Sequence, residues 1–588
     1  LRPGGGDLLG GTAGALEEAV EPPELLRHQA LLRDVGVGRV REGDVDLLTE
    51  IEVLRGDRHR LPGHGLRRLA RQLVSLGVTA AMDAADESPD PSALRRAPAG
   101  PTLHPVAAGI ARFVAACPVY RTYIDGRDEL PHPDDRRVLE QTAARAQEGA
   151  SEAEHAVIAR LAELFLRPIR DDDADREARL RFILAFQQTT GPATAKGVED
   201  TALYAYVPLV SRNEVGGEPD RPLHDAVTRL HAANAERHRD WPLALLSTNT
   251  HDTKRSADVR ARLDVLSEIP DHWRRVVLRW RRLNKRHRVA IAGRLSPDTN
   301  TEYLLYQTLV GMWPAPRPGH RVDDPPTPEW LHEAAQRLEQ YMMKAVKEAK
   351  VFTSWTDPDP KYEEAVSRFV HAVIGRDADA TFLSDVSRFV ARIAGAGAWN
   401  ALARTALHYT SPGTPDTYQG DELWFRALVD PDNRRAVDFA KRAAVLEELA
   451  DPETPEPLAG LATDPASDRL KLHVVRSILH ARRADPDLFR AGSYEPVEVT
   501  GDRARHAFAF LRRHGGRTAL VVVPRLVAGC FGKRGEPLPQ AWESIRLELP
   551  ADLEGRRWTH CISGEELMLD GSLGPILTPV PVGVLVSR

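Results

Sequence analysis

The chain has 588 residues, with 79 Lys plus Arg against 85 Asp plus Glu and a formal net charge of −6. That length allows about three or four domains of ~150 residues each, or one large barrel with additions, and the charge balance excludes an overall field that would draw the chain to nucleic acid or to an anionic membrane. Cys117, Cys530 and Cys561 are far apart and show no CxxC spacing, which argues against a disulfide framework or a zinc site and favours a reducing, cytoplasmic compartment.

Residues 1–112 contain no Phe, Tyr or Trp, and the first Lys of the chain is Lys196. Such a composition gives a core little to bury, so this lead segment is left unassigned. Leu66, Leu69, Leu73 and Leu76 fall at helical spacing within it and are followed by Gly77, which predicts one helix there. From 113 the character changes. ARFVAACPVYRTYI and AEHAVIARLAELFLRPI carry apolar residues at helical period and predict a helical layer over about 113–181. No apolar run approaches the ~18–20 residues of a membrane-spanning helix, and the amino terminus lacks the layout of a signal peptide, so a soluble protein is expected.

Three stretches read as a short apolar strand followed by a polar, turn-rich loop: LRFILAF before QQTTGPATAKGVED, Leu243 to Leu246 before Ser247 to Thr253, and Leu407 to Thr410 before Ser411 to Asp416. Strands that deliver polar loops at their carboxyl ends are the pattern of a (β/α) barrel. Between the second and third, about 270–395, amphipathic helices are predicted from WRRVVLRWRRLNKRH, EYLLYQTLVGMW, EWLHEAAQRLEQYMMKAVKEAK and EEAVSRFVHAVI. After the helix of KLHVVRSILHARRADPDLF, the period falls to two through YEPVEVTG, HAFAFLRRHGGRTALVVVPRL and ILTPVPVGVLVSR, which predicts a small antiparallel β domain over about 491–588 with a turn at Gly515 and Gly516.

The loop Thr248 to Arg255, TNTHDTKR, concentrates an acceptor, a donor and two cations just after a strand. Asp252 there suits stabilisation of a cationic, oxocarbenium-like centre, with His251 donating to a sugar hydroxyl; the alternative is that Asp252 or Thr253 caps the following helix. Lys196, Glu199 and Asp200 are candidates to grip hydroxyls, or an acidic helix start. Tyr418, Gln419, Asp421, Glu422 and Trp424 combine aromatic faces with amides and carboxylates, as sugar stacking needs, or form a packed structural loop. His408 reads as a satisfied core histidine on an apolar strand. No Walker loop, HExxH helix or GxSxG elbow is present.

Six ordered stretches resemble malto-oligosyltrehalose synthases of the α-amylase (glycoside hydrolase 13) superfamily: CPVYRTYIDG (117–126), FQQTTGPATAKGVEDTALYAYVPLVSRNEVGGEP (186–219), THDTKRSADVRAR (250–262), EYLLYQTLVGMWP (302–314), AVKEAKVFTSWTDPDPKYEEAV (345–366) and SPGTPDTYQGDELWFRALVDPDNRRAVDF (411–439). The resemblance runs from about 113 to the C-terminus. It implies an α/β fold: the C-terminal portion of a (β/α)8 barrel over 113–490, with a large helical insertion at about 270–395, followed by the antiparallel β domain over 491–588. It implies an intramolecular transglucosylation that turns the reducing-end α-1,4 linkage of a malto-oligosaccharide into an α,α-1,1 linkage, as in trehalose biosynthesis, by a retaining carboxylate mechanism. Asp252 maps onto the family's transition-state-stabilising Asp with His251 beside it, and Lys196, Glu199, Asp200, Lys254, Arg255, Tyr418 and Gln419 would line the substrate. The resemblance implies no metal or organic cofactor, a malto-oligosaccharide substrate, no nucleic-acid or membrane partner, and functional pairing with a trehalose-releasing hydrolase.

The superfamily's nucleophile stretch G-x-R-x-D, its acid/base Glu and its D-x-x-x-N-H stretch are not found in this sequence. A truncated synthase is therefore expected, with a catalytically inactive glucan-binding remnant, or another glucanotransferase or amylase of the superfamily, as alternatives. A half barrel leaves apolar strand edges bare, which predicts low stability or self-association.

Overall fold

The computed structural model describes residues 103–587 apart from 317–318, 377, 451–456, 531–537 and 554. The helix expected over Leu66 to Leu76, and most of the unassigned 1–112 segment, lie outside the described residues.

Four helices form the first layer: α1 (Leu103–Ala116), α2 (Pro133–Gln147), α3 (Glu152–Leu166) and α4 (Arg176–Thr194). They enclose a core of their own, with Phe113, Phe165, Phe182 and Phe186 at its centre and the Phe165 and Phe186 ring centroids 4.9 Å apart. Ser151 caps α3 in a reciprocal box with Glu154. At the other end of α3 the buried Arg179 donates from Nε to Leu164 O and from Nη1 to Pro168 O, satisfying carbonyls that a helix terminus leaves without partners.

The first predicted strand, in LRFILAF, is helix. Arg179, Phe182, Ile183, Phe186, Gln187 and Thr190 are the buried positions of α4, a spacing of three and four. A short apolar run fits strand and buried helix equally, and packing on α1 and α3 selects helix. The chain continues without a break into a π-helix over Ala195–Ala202, a rare conformation that tends to mark functional positions.

After α5 (Ala226–Asp240) comes β1 (Leu245–Ser247), close to the strand expected at Leu243 to Leu246. It pairs in parallel with β4 (Thr414–Asp416), with Leu245 opposite Thr414 and Ser247 opposite Asp416. The strand expected at Leu407 to Thr410 is instead the end of a 31-residue helix, α11 (Ala380–Thr410). Its alanine-rich middle extends the helix four residues beyond the expected switch, and β4 starts only after Gly413. That glycine has φ +121, and a Cβ there would lie 2.9 Å from Ala244 O, so β4 reaches β1 only with glycine at this point.

Between β1 and β4 run α6 (Ala257–Asp264), α7 (Pro270–Asn284), a hairpin of β2 (Val289–Ile291) with β3 (Arg294–Ser296), α8 (Thr299–Met312), α9 (Pro328–Ala349) and α10 (Pro360–Ile374). Apart from the β2–β3 hairpin this stretch is helical as expected, but α8 is not amphipathic: every residue from Glu302 to Met312 is buried, as for a helix enclosed on all sides. Past β4 lie α12 (Phe439–Ala450) and α13 (Asp468–Ala484).

The antiparallel sheet expected at the C-terminal end is present. It comprises β5 (Glu495–Thr500), β6 (Ala507–His514), β7 (Arg517–Pro524), β8 (Arg546–Glu548), β9 (Arg557–His560), β10 (Glu566–Met568) and β11 (Gly583–Ser587). Their order across the sheet is β10-β9-β11-β7-β6-β5-β8. Gly515 and Gly516, at φ +54 and +82, form the two-residue β6–β7 turn, where only positive φ matches the strand twist. The central strands do not alternate in exposure. Most of β6 and β7 is buried on both faces, because helical elements pack against the sheet and the Arg512 guanidinium reaches Thr410 O at the end of α11. No helix among the described residues is long and apolar enough to cross a membrane.

Candidate functional site

The loop after β1 is shaped by its own short polar side chains. Asp252 N donates to Thr250 Oγ1 at 3.1 Å and Thr253 Oγ1 to Thr250 O at 2.9 Å, the local side-chain turns that Thr favours outside helices. The cap of α6 is Ser256, and Ala257 N donates to Asn249 Oδ1 at 2.7 Å. Asp252 and Thr253 therefore do not cap the following helix. His251 and Asp252 stand exposed at the loop tip.

The two cations after Asp252 diverge. Lys254 turns inward, almost fully buried, with Nζ 2.8 Å from Asp200 Oδ1 and 5.5 Å from the centroid of the Tyr204 ring. Lys196 pairs with the other oxygen of Asp200, so one carboxylate on the π-helix bridges two ammonium groups. Burial pushes the Asp200 carboxyl up, but hydrogen bonds and charge from Lys196 and Lys254 outweigh it and leave it below its ordinary range. The Lys196 ammonium is raised, chiefly by its bond to Asp200 and further by the charges of Glu348 and Asp252. Arg255 is buried and faces away from this cluster, donating to Val210 O at 3.0 Å and to the Tyr341 hydroxyl.

Glu199 sits on the same π-helix, buried, and accepts from the Tyr120 hydroxyl and from Gly216 N at 3.2 Å. Burial first, and the Glu199 carboxylate second, push the Tyr120 phenol up to about 12; the Asp252 charge adds to the shift. Tyr120, Lys196, Glu199, Asp200, Asp252 and Lys254 thus form one polar cluster, drawn from the 117–126 segment, the π-helix and the loop after β1. Tyr418 reaches the loop after β1 through Asn433. The Tyr418 hydroxyl donates to Asn433 O at 3.2 Å, while Asn433 Nδ2 donates to His251 O at 3.1 Å and to Thr250 O at 3.3 Å. Gln419 is exposed.

Several residues that hold this arrangement carry no sequence signal. Glu214 accepts from Lys254 N at 2.8 Å and Arg255 N at 3.4 Å, pinning the loop from 40 positions upstream. Beneath it, Lys471 Nζ lies 2.7 Å from Asp258 Oδ2 and 3.1 Å from Asp421 Oδ1, while Arg404 spans Asp258, Asp421 and the Thr248 hydroxyl. Asp421 is thus part of a buried strut. Trp424 donates from Nε1 to Ser467 O, and Glu422 pairs with Arg442, so this end of the segment packs as structure. His408 lies on α11 rather than on a strand, and its Nδ1 has no hydrogen-bond partner, so it is not the satisfied core histidine expected. Among the described residues no group of three or more His, Cys, Asp or Glu side chains could hold a metal ion.

An exposed carboxylate beside bridged ammonium groups and a half-exposed tyrosine is chemistry that suits a neutral, hydroxyl-rich ligand. Comparison with known proteins gives that class a family. The chain is 37% identical over 379 residues to the maltooligosyl trehalose synthases of two Mycobacterium tuberculosis strains, a match that covers 64% of this chain and 42% of theirs. The structure of maltooligosyltrehalose synthase from Arthrobacter ramosus superposes with a TM-score of 0.71 at 29% identity, covering 97% of this chain and 62% of that one. A glycosyltrehalose synthase structure at 24% identity shares the fold with a TM-score of 0.61. No family model matches the chain. In sequence and in fold the chain is a relative of the maltooligosyltrehalose synthases, and it spans less than two thirds of the length of the relatives it matches.

Proposed function

We propose that this chain carries the later part of a maltooligosyltrehalose synthase, an enzyme of the glycoside hydrolase 13 kind that transfers a glucosyl unit within one malto-oligosaccharide. The reading that follows gives it the C-terminal strands of a (β/α)8 barrel, of which β1 and β4 are two neighbours. Asp252 stabilises the oxocarbenium-like centre, and His251 donates to a hydroxyl of the same sugar. Lys196, Glu199, Asp200 and Lys254 hold the adjoining unit, with Tyr418 and Gln419 on the opposite wall. Arg255 supports the loop from within. A cytoplasmic location and pairing with a trehalose-releasing hydrolase go with this reading.

The observation that carries it is the position of Asp252: exposed, free of any capping duty, and close enough to Tyr120 and Lys196 for its charge to shift both. The test is loss of reducing ends from maltohexaose, with terminal trehalose sought among the products and maltohexaose binding measured by calorimetry alongside. Turnover that Asp252→Asn abolishes supports the synthase, whereas newly created reducing ends would assign the chain to the hydrolases. Binding without turnover favours a second reading, a glucan-binding protein without catalysis, which draws on the missing G-x-R-x-D and acid/base stretches. A folded chain that neither binds nor turns over maltohexaose refutes both.

A further inference from the structure

The segment that brings Tyr120 to the polar cluster continues as an extended strip laid along α4. A Cβ at Gly191 would lie 3.9 Å from Tyr120 O, and one at Gly126 2.7 Å from the Leu180 side chain, so the strip starts beside the π-helix and runs back toward the start of α4. Gln187 holds its middle: Oε1 accepts from Thr122 Oγ1 at 3.0 Å and from Ile124 N at 2.7 Å, and Nε2 donates to Ile124 O at 2.9 Å. Asp135 accepts from Tyr123 N at 3.0 Å, and Arg176 donates to Gly126 O at 3.2 Å. Extended backbone sends alternate side chains to opposite sides. Thr122 and Ile124 are accordingly buried, whereas Tyr123 is 72% exposed and Asp125 is exposed with it. The Arg121 guanidinium carbon lies 4.7 Å from the centroid of the Tyr123 ring, which steadies one face of the ring with a cation and leaves much of the rest to solvent.

We propose that this strip is an outer binding site for the same malto-oligosaccharide, with Tyr123 as the stacking platform for a glucosyl unit beyond those held at the cluster and Arg121 as a donor to its hydroxyls. The inference rests on the synthase reading and extends it by naming where a longer sugar chain runs. Three observations carry it. The strip begins at Tyr120, whose hydroxyl meets Glu199 inside the cluster, and three residues of extended backbone place Tyr123 within about 10 Å of it. An aromatic ring flanked by a guanidinium matches a sugar ring, which has apolar C–H faces and a rim of hydroxyls. Gln187 and Asp135 already fix the backbone on both sides of the platform, so a ligand meets an ordered surface and little ordering entropy is lost on binding.

The test is calorimetric titration of the full chain with maltotriose and with maltohexaose. Tyr123→Ala should weaken maltohexaose binding about five- to tenfold and leave maltotriose unchanged, while Tyr123→Phe, which keeps the ring, should retain the parent's affinity for both. The Tyr123 side chain is largely in water, so Tyr123→Ala should also keep the parent's melting temperature, which separates lost binding from lost fold. Unchanged maltohexaose affinity in Tyr123→Ala would overturn the proposal and leave the synthase reading standing. Equal weakening of both sugars would overturn it too, since Tyr123 would then belong to the cluster itself. So would a Tyr123→Phe variant as weak as Tyr123→Ala, because the ring would then not be the platform. The expected chain-length effect without any loss of reducing ends would keep the outer site and remove the synthase reading. A folded parent that binds neither sugar would remove both.

Discussion

Replacing Lys471 by methionine keeps the length of the side chain and removes its charge from a buried network. The Lys471 and Asp258 side chains are each 1% exposed and Asp421 8%, with Nζ 2.7 Å and 3.1 Å from the two carboxylates and 2.9 Å from Leu423 O. In the variant, Arg404 alone faces both carboxylates, at 3.1 Å and 3.5 Å. Removing one partner from a buried ion group costs about 3–5 kcal/mol, and the loss should show as a lower denaturant midpoint at pH 7. The pH dependence is diagnostic. Burial raises the Asp421 carboxyl, Lys471 and Arg404 lower it, and the net shift is downward. A carboxyl held low contributes stability that is present above its unfolded value of about 3.9 and is lost as pH falls through the folded value, so this group leaves the parent's stability unchanged between pH 7 and 5. Without Lys471 the largest influence lowering the Asp421 carboxyl is gone and burial pushes it up, so the variant's pH profile should depart from the parent's. Asp421→Asn added to Lys471→Met restores one cation to one carboxylate and should recover on the order of 1–3 kcal/mol. Urea unfolding at several pH values measures all three proteins. A single variant within 1 kcal/mol of the parent, with the parent's pH profile, would refute the account of this network.

Arg179→Met leaves the carbonyls at the end of α3 without donors and should destabilise the four-helix layer by about 3 kcal/mol; hydrogen exchange should quicken in α1 to α4 while the C-terminal sheet keeps its protection. A Cβ at Gly397 would lie 2.9 Å from Arg262 Cα, so Gly397→Ala should push α11 from α6 at a cost of about 1–3 kcal/mol, read as a lower melting temperature. His408 is held down to about 4, by burial first and the Arg404 charge second. A folded value below the unfolded ~6.5 means that stability falls as pH drops from 6.5 toward 4, by up to about 2 kcal/mol at pH 5. His408→Phe should remove that slope, and a variant that keeps it would reassign the titration to another group.

How far the sequence reached depended on the range of each interaction. The turn at Gly515 and Gly516, β1, and the helices between 270 and 395 follow from periodicity and turn chemistry within a few residues of each position. LRFILAF failed because an apolar run of that length carries no period of its own, and the choice of helix comes from Phe113 and Phe165, far away in sequence. Leu407 to Thr410 failed because turn residues mark where a helix must stop as readily as where a strand does. At the site, TNTHDTKR announced itself by concentrating polar residues after a strand. Glu214, Asn433, Arg404 and Lys471 did not, since they act through contacts with residues tens to hundreds of positions away.

These struts also decide what Asp252 can do. Every other charged group of the loop and its supports is committed: Lys254 to Asp200, Glu214 to the loop backbone, Arg404 and Lys471 to Asp258 and Asp421. Asp252 is fixed through its backbone while its carboxylate faces solvent. A unit negative charge acting on a cationic centre ~4 Å away is worth about 1 kcal/mol in water and about 4 kcal/mol at the effective dielectric of a partly enclosed site. The difference is more than a hundredfold in rate. Under the synthase reading, this carboxylate reaches the larger figure only where water is displaced from above it. Under the reading proposed above, Asp252→Asn lowers turnover of maltohexaose by up to about a hundredfold, read as slower loss of reducing ends, and an unchanged rate would refute the role given to this carboxylate.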